Sequence, residues 1–314
     1  MSTIAGEGTV LLIGSACYDV RGVTEAAVAP GGVSGGRVRL SLGGTARNIA
    51  ENLARLGVTA RLLTALGDDV PGRQILQRTR DAGVRLEDET LLIHAGRPSG
   101  AFLTIEQAGG GAIVAIDDTA ITRTITPRVI HRWRRALREA AIVVVDATLR
   151  PQTLAAIVRR CRRAGIGICF EPVSVALAPR LGPFLGDALL ITPNMREAAI
   201  LTGLPVANRD EALVAARALQ DRGAAMVIIT MAGGGAIYAS ADASGHVPAL
   251  QTTAVDSSGA GDALTAGVIF GLLQGFPLDE AVTLGTAMAS LTLLTSETVR
   301  ADLSLEGVYA HMQV

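Results

Sequence analysis

Short apolar runs alternate along this chain with stretches in which apolar positions recur every three or four residues. The runs Thr9–Ile13, Ala60–Ala65, Ala141–Val145, Gly167–Phe170, Ala188–Ile191 and Ala225–Thr230 are rich in Val, Ile and Leu. Runs of this length without a polar face predict strands buried on both sides. The helical period is clearest where Ala46, Ile49, Ala50 and Leu53 fall at i, i+3, i+4 and i+7. That spacing turns one face to a core and leaves Arg47, Glu51 and Arg55 off the stripe. It ends where Gly57 can take the left-handed cap of a helix C-terminus. Strands alternating with helices predict an α/β fold of three layers, a mostly parallel central sheet with helices on both faces.

Two segments break the rhythm. Residues 18–42 are rich in Gly and Val with no helical period. Residues 91–116 read as strand, turn, strand: Phe102–Ile105, a turn at Gly109, Gly110 and Gly111, then Ala112–Ile116. Together they predict a small β-sheet inserted into a single domain that runs over residues 1–314. A lid over a site is the use such a sheet suits, because closure excludes water from reacting groups. Surface hairpins without a function are the plainer reading of the same segments. No internal repeat, low-complexity tail or Pro-rich linker interrupts the chain.

Charge narrows the function. The 314 residues carry 28 basic and 29 acidic side chains, a formal net charge of −1. A nucleic-acid groove needs an excess of positive charge, so no nucleic-acid partner is expected. Every basic residue is arginine. Without lysine, Schiff-base chemistry, a lysine general base and the lysine-bearing loop of P-loop enzymes are excluded. Hydrophobic residues make up 49%, yet no apolar run approaches the roughly 18 residues of a membrane span. Met1–Gly8 carry an acid and no basic cluster, so no signal peptide is expected and no membrane partner. Cys17, Cys161 and Cys169 lack CxxC spacing and suit a reducing, cytoplasmic setting.

Four segments, with Asp19 beside them, carry chemistry. The sequence Asp256-Ser-Ser-Gly-Ala-Gly-Asp262 runs into a helix whose inner face is small, with Ala263, Ala266 and Gly267. Such a turn lets successive backbone N–H groups face outward at a helix N-terminus, where the dipole favours an anion. Asp262 follows in the first helical turn, as a general base for phosphoryl transfer would beside an anion pocket. Gly43-Gly44-Thr-Ala-Arg-Asn48 opens the early helix. The Asn48 amide can donate to one hydroxyl and accept from its neighbour, as a vicinal diol of a sugar requires. Asp19 lies just past the first strand, at the sheet edge where ligands of open α/β folds gather. Asn194-Met-Arg-Glu197 puts Asn194 and Glu197 on one helix face, able to hold a hydrated Mg²⁺ or simply to start a helix. Thr230-Met-Ala-Gly-Gly-Gly235 leaves a strand into a glycine turn that can admit phosphates or close a plain hairpin.

In this order the segments resemble the ribokinase-like (phosphofructokinase-B type) carbohydrate kinases, from Gly14 to about Leu303 and including the two-part lid. Within that family, Gly43–Gly57, Val114–Asp118 and Glu171–Ser174, with Met231 and Leu293–Glu297, are most similar to pseudouridine kinases. The resemblance implies a ribokinase-like fold, ATP and Mg²⁺. It implies transfer of a phosphoryl group to the primary 5′-hydroxyl of a ribose-containing nucleoside, pseudouridine being the expected acceptor. Asp262 would be the base, and the amides of Gly259, Ala260 and Gly261 the anion hole. Asp19, Gly43, Gly44 and Asn48 would hold the ribose, and Asn194 and Glu197 would organise Mg²⁺ and phosphate. Thr230, Gly233 and Gly235 would line the nucleotide site. Asp256 and Ser258 stand where many relatives bind a monovalent cation such as K⁺. In the lid, Asp117, Asp118 and Thr104 would read the base edge, with Phe102 or Tyr18 stacking on it. A homodimer through an apolar lid face is expected.

Two positions depart from the family pattern. Cys17 stands where Asn is usual, and a thiol is a poor substitute for an amide. Ala232 replaces the first glycine of the nucleotide turn. Without lysine, charge on the migrating phosphoryl group must be met by Mg²⁺, backbone N–H groups and a helix N-terminus, with Arg47 and Arg196 the arginines beside the motifs. A kinase of another small sugar or nucleoside, such as ribose or adenosine, is the alternative reading. A phosphorylated acceptor is less favoured, because the early lid segment offers few basic residues, Arg37 and Arg39 among them. A non-catalytic nucleotide-binding module is a third reading. A Rossmann dehydrogenase is set aside, since no GxGxxG follows the first strand.

Overall fold

The computed structural model describes residues 8–28, 31–86, 90–107 and 112–313. In chain order its strands are β1 (Thr9–Ile13), β2 (Cys17–Thr24), β3 (Gly36–Gly43), β4 (Ala60–Gly67), β5 (Leu91–His94), β6 (Gly100–Gln107), β7 (Ala112–Asp118), β8 (Ala140–Asp146), β9 (Gly167–Glu171), β10 (Ala188–Ile191), β11 (Met226–Thr230), β12 (Ala236–Ser240) and β13 (Ser244–Val247). The larger sheet runs β13-β12-β11-β10-β9-β8-β1-β4-β5. Pairing is parallel from β11 to β5, and β12 and β13 add an antiparallel edge. All six predicted apolar runs are strands of this sheet.

Among the described residues ten α-helices flank it: α1 (Thr45–Arg55), α2 (Val70–Asp81), α3 (Pro127–Arg132), α4 (Arg134–Glu139), α5 (Pro151–Ala164), α6 (Met195–Thr202), α7 (Arg209–Asp221), α8 (Ala260–Leu273), α9 (Leu278–Leu293) and α10 (Leu305–Met312). Strand alternation sends Leu11, Ile13, Val143 and Val145 into a core with α3 to α7. Val10, Leu12, Ile142 and Val144 face the opposite core with α1, α8, α9 and α10. Neighbouring residues thus serve two helix layers, which is why these strands read as unbroken apolar runs.

The smaller sheet has the order β3-β2-β6-β7, with β2 and β6 parallel and the other pairs antiparallel. Its second insertion begins at Gly100 rather than Leu91 and runs on to Asp118. Leu91–His94, expected in the lid, is instead the edge of the large sheet, where Leu91 pairs with Thr64 of β4. A four-residue apolar run carries the same local signal in either sheet, and only its partner decides. The expected turn at Gly109, Gly110 and Gly111 lies outside the described residues. One lid face carries Asp19, Ser41, Phe102 and Asp117 in register, followed by Arg21, Arg39 and Thr104. The other face exposes Val38, Leu40, Val114 and Ile116.

Candidate active site

The strand ends beneath the lid are locked by a buried carboxylate. Asp146, at the end of β8, accepts from the N–H of Ser15 at 2.7 Å and from its hydroxyl at 2.8 Å. It also accepts from Thr148 N–H at 3.0 Å. Complete burial raises its pKa against these bonds. Gly44, with φ at +95°, caps α1 so closely that an added Cβ would lie 2.6 Å from Ala16 Cα and Ser15 O. At Gly43 a Cβ would fall 2.3 Å from the Asp19 carboxylate, so this glycine leaves the space in which Asp19 stands.

Asp19 accepts from the Cys17 thiol at 3.4 Å. Burial pushes its pKa up to about 6; the thiol bond and Arg47 pull down, and Asp256 adds to the rise. Cys17, in place of the usual Asn, therefore supports the neighbouring carboxylate.

On the opposite wall Gly259, at φ +78°, forms the N-cap of α8, and a Cβ there would strike Thr298 O at 2.0 Å. Beyond Gly261, nothing lies within 4 Å of the missing side chain. Asp262 follows in the first turn of α8, and its carboxylate accepts from Asn48 Nδ2 at 2.7 Å. Burial raises the Asp262 pKa to about 7; the Asn48 bond opposes this, Asp19 and Asp146 add to it, and Arg47 lowers it.

Two cavities meet at this turn. One of about 340 Å³, under the lid, is lined by Asp19, Gly44, Asn48, Phe102, Asp117 and Asp262. The other, of about 940 Å³, is lined by Asn194, Thr230, Gly233, Gly235 and Ala260. Gly261 belongs to both. Among the described residues only Val173 and Ala232 hold positive φ without being glycine, at +67° and +48°. One lines each cavity, and backbone strain of this kind gathers at functional sites. The Ala232 departure is thus accommodated in the conformation a glycine would take, and the turn closes through Met231 N–H to Gly235 O at 2.8 Å.

Several expected residues stand differently from their sequence reading. Asp117, not Asp118, lines the cavity under the lid, because adjacent strand residues face opposite sides. Tyr18, on the far face, donates to Gln74 instead of meeting the cavity. Asn194 and Glu197 form a capping box at the start of α6. Asn194 Oδ1 accepts from Glu197 N–H at 3.0 Å, and Glu197 Oε2 from Asn194 N–H at 2.9 Å. Asn194 lines the larger cavity, whereas Glu197 is buried behind it. Asp256 accepts from Ser258 N–H at 2.9 Å and pairs with Arg21 of β2, which also meets Glu106 at 2.6 Å. Both oxygens of Asp256 are thereby engaged.

Arg47 and Glu51, expected off the apolar stripe of α1, are completely buried and paired with each other. Arg196 lines the larger cavity, whereas Arg47 lies within the fold. The Asn48 amide consequently offers only its N–H₂ to the cleft, not both ends, since Oδ1 accepts from Arg47 at 2.8 Å.

The sequence by itself assigns no role to Arg21, Asp146 or Glu171. Asp146 and Glu171 end apolar runs, a signal available in the sequence. Glu171 accepts from the hydroxyls of Thr192 and Thr265, and burial drives its pKa well above the carboxylate range.

A carboxylate beside a helix-N-terminal turn that two cavities share is an arrangement phosphoryl transfer can use. The chain belongs to the pfkB family of carbohydrate kinases, which it matches over residues 8–303. Membership makes it a sugar or nucleoside kinase with an alcohol as acceptor. It is 29% identical over 300 residues to pseudouridine kinase of Escherichia coli (strain K12), covering 95% of each chain. Guanosine-inosine kinase of Exiguobacterium acetylicum is 26% identical over 293 residues, 92% of this chain and 95% of that one. The structure of Arabidopsis thaliana ribokinase complexed with ribose and ATP superposes with a TM-score of 0.84 at 19% identity, covering 98% of this chain and 99% of that one. That likeness speaks for the ribokinase-like fold alone. Among the described residues no helix is long and apolar enough to cross a membrane.

Proposed function

We propose that the chain phosphorylates the 5′-hydroxyl of a ribose-containing nucleoside with ATP, and that pseudouridine is the acceptor. The carrying observation is that Asp262 opens on the lid-covered cavity while Gly261, next to it, is shared with the larger cavity. With the acceptor in the first and ATP in the second, the hydroxyl oxygen approaches the γ-phosphorus at the α8 N-terminus. The new O–P bond forms as the bond to the β–γ bridging oxygen breaks, the hydroxyl proton passes to Asp262, and ADP leaves. A carboxylate with a pKa of about 7 is matched to taking that proton near neutral pH. The amides of Gly259, Ala260 and Gly261 would hold the migrating phosphoryl oxygens, charge stabilisation that lysine cannot supply here. Asp19 would accept from ribose hydroxyls.

Mg²⁺, when bound, neutralises charge on the nucleotide phosphates. Asn194, at the rim of the larger cavity, is the side chain that would reach its water shell, and Glu197, buried behind that rim, would hold Asn194 in place through the capping box. Such an outer contact leaves Mg²⁺ to its waters and the nucleotide phosphates, as that ion tolerates.

Phe102, Thr104 and Asp117 extend the acceptor cavity beyond the groups that would hold ribose, which favours a nucleoside over a free sugar. The nucleoside kinases among its relatives point the same way. Three buried free cysteines accord with a reducing, cytoplasmic setting, and the apolar outer lid face supports a homodimer. A panel of acceptors with an ADP-release assay tests the reading. Pseudouridine should give the highest kcat/KM, and Asp262→Asn should bind ATP but lose about 10²–10⁴-fold in kcat. A higher kcat/KM for ribose would replace the nucleoside assignment, and parental turnover in Asp262→Asn would remove the base.

A further inference from the structure

We infer that Arg47 is a positioning residue: a buried relay from Glu51 through Arg47 and Asn48 fixes the Asn48 amide as a hydrogen-bond donor toward Asp262. The inference rests on the reading of Asp262 as the base. Arg47 is 0% exposed and among the largest fully buried side chains of the molecule. A guanidinium so placed needs partners, and both terminal nitrogens of Arg47 have them, whereas its Nε has none. Its Nη2 pairs with Glu51, one helical turn on and equally buried. The second Glu51 oxygen accepts from Arg55 Nε at 3.1 Å and Nη2 at 2.6 Å, so the carboxylate is held in place. Nη1 donates to Leu42 O at 2.7 Å and to Asn48 Oδ1 at 2.8 Å.

Guanidinium groups donate and never accept, so only the oxygen of the Asn48 amide can face Arg47. The N–H₂ end must then point the other way, where it meets Asp262 at 2.7 Å. Both ends of an amide have nearly the same shape, and packing alone would not choose between them. A flipped Asn48 would set N–H₂ against the guanidinium and oxygen against the Asp262 carboxylate, two repulsions in place of two bonds. The Thr298 hydroxyl, 3.2 Å from the same Oδ1, leaves the choice to Arg47 because a hydroxyl can donate or accept. Stability gives no separate reason for the pair, since well-packed apolar residues often replace a buried ion pair without loss. What apolar residues would not supply is the fixed sense of the amide.

The test removes both completely buried charges at once, with Arg47→Met plus Glu51→Met, leaving Arg55, which is in part exposed, with its bond to Ala301 O. The double variant is expected to unfold near the parental temperature and to keep KM for ATP within about twofold. Its kcat should fall roughly 10²-fold, as loss of alignment at a reacting centre commonly costs. Without its donor, Asp262 should also titrate higher among the charges that surround it (Asp19, Asp146, Glu171 and Arg47 in the parent). The acidic limb of kcat/KM should therefore move to higher pH. A folded double variant with parental kcat and an unmoved limb would overturn the relay. If that variant does not fold, Arg47→Lys carries the test. A single ammonium replaces the two nitrogens that now meet Asn48 and Glu51 separately, so kcat should fall, and a folded lysine variant with kcat within twofold of the parent would overturn the relay equally. Asp262→Asn, measured alongside, separates the two failures. If it turns over normally the base reading falls, whereas if it is inactive while the methionine pair is normal, only the relay falls.

Discussion

At Asp262 burial and two neighbouring carboxylates raise the pKa while one amide and one guanidinium hold it down, leaving it at about 7. Asp19 across the cavity is raised to about 6 by its own burial. The two groups sense each other, so their protons come off as a pair with shared apparent values. On the proposed mechanism Asp262 must be ionised. Below its raised pKa the carboxyl is protonated and cannot take the hydroxyl proton; above it, it can. The expected result is a kcat/KM that is level well above pH 7, is halved near 7 and falls more steeply below about 6. A profile level down to pH 5 would show that neither carboxylate must be charged. Cys17 belongs to this scale too, since its thiol lends Asp19 a hydrogen bond that a substrate hydroxyl would otherwise supply.

Strand β2 shows how one element serves two purposes. Period-two alternation sends Cys17, Asp19 and Arg21 toward the cavity and Val20 to the outer lid face. Arg21 reaches from the lid to Asp256 in the turn before α8 and is braced by Glu106 on β6. The lid is thus tied to the loop that would hold the phosphoryl group. Arg21→Met should loosen that tie and raise KM for the nucleoside about tenfold, equivalent to ~1.4 kcal/mol, with KM for ATP nearly unchanged. Equal rises in both constants would mean that the contact holds the phosphate loop rather than the lid. Helix α1 is a second case. Its apolar stripe was legible, but the stripe is wider than the apolar residues alone, because Arg47 and Glu51 neutralise each other inside it.

Across the whole molecule, the crossover between β1 and its neighbours β4 and β8 brings the early and late glycine turns to one sheet edge. Chain segments more than two hundred residues apart meet there, as Asn48 and Asp262 do. The lid projects from that edge with Val38 at 72%, Leu40 at 59% and Ile116 at 53% exposure on its outer face. Strands β3 and β7 are its edges, and a four-stranded sheet with such a face is covered in most soluble proteins. A second copy is the cover we propose. Sedimentation should give the mass of two chains, and Leu40→Arg should reduce it to one. A parental chain that sediments singly at micromolar concentration would refute the dimer.

The alternation of apolar runs with amphipathic stretches determined the layered α/β class and six strands of the large sheet. The turns around Gly44 and Gly259 marked both walls of the cleft, because glycine at a positive φ leaves a local trace in the sequence. Local pattern also sufficed for the capping box at Asn194. Other features were settled only by packing. Whether Leu91–His94 joined the lid or the main sheet depended on a partner strand, and whether Asp117 or Asp118 faced the cavity depended on a register fixed across three other strands. The charge buried in α1 escaped the sequence altogether. Arg47 looks like a solvent residue until Glu51, Leu42 and Asn48 close around it, and a buried ion can be recognised only when every group that compensates it is in place.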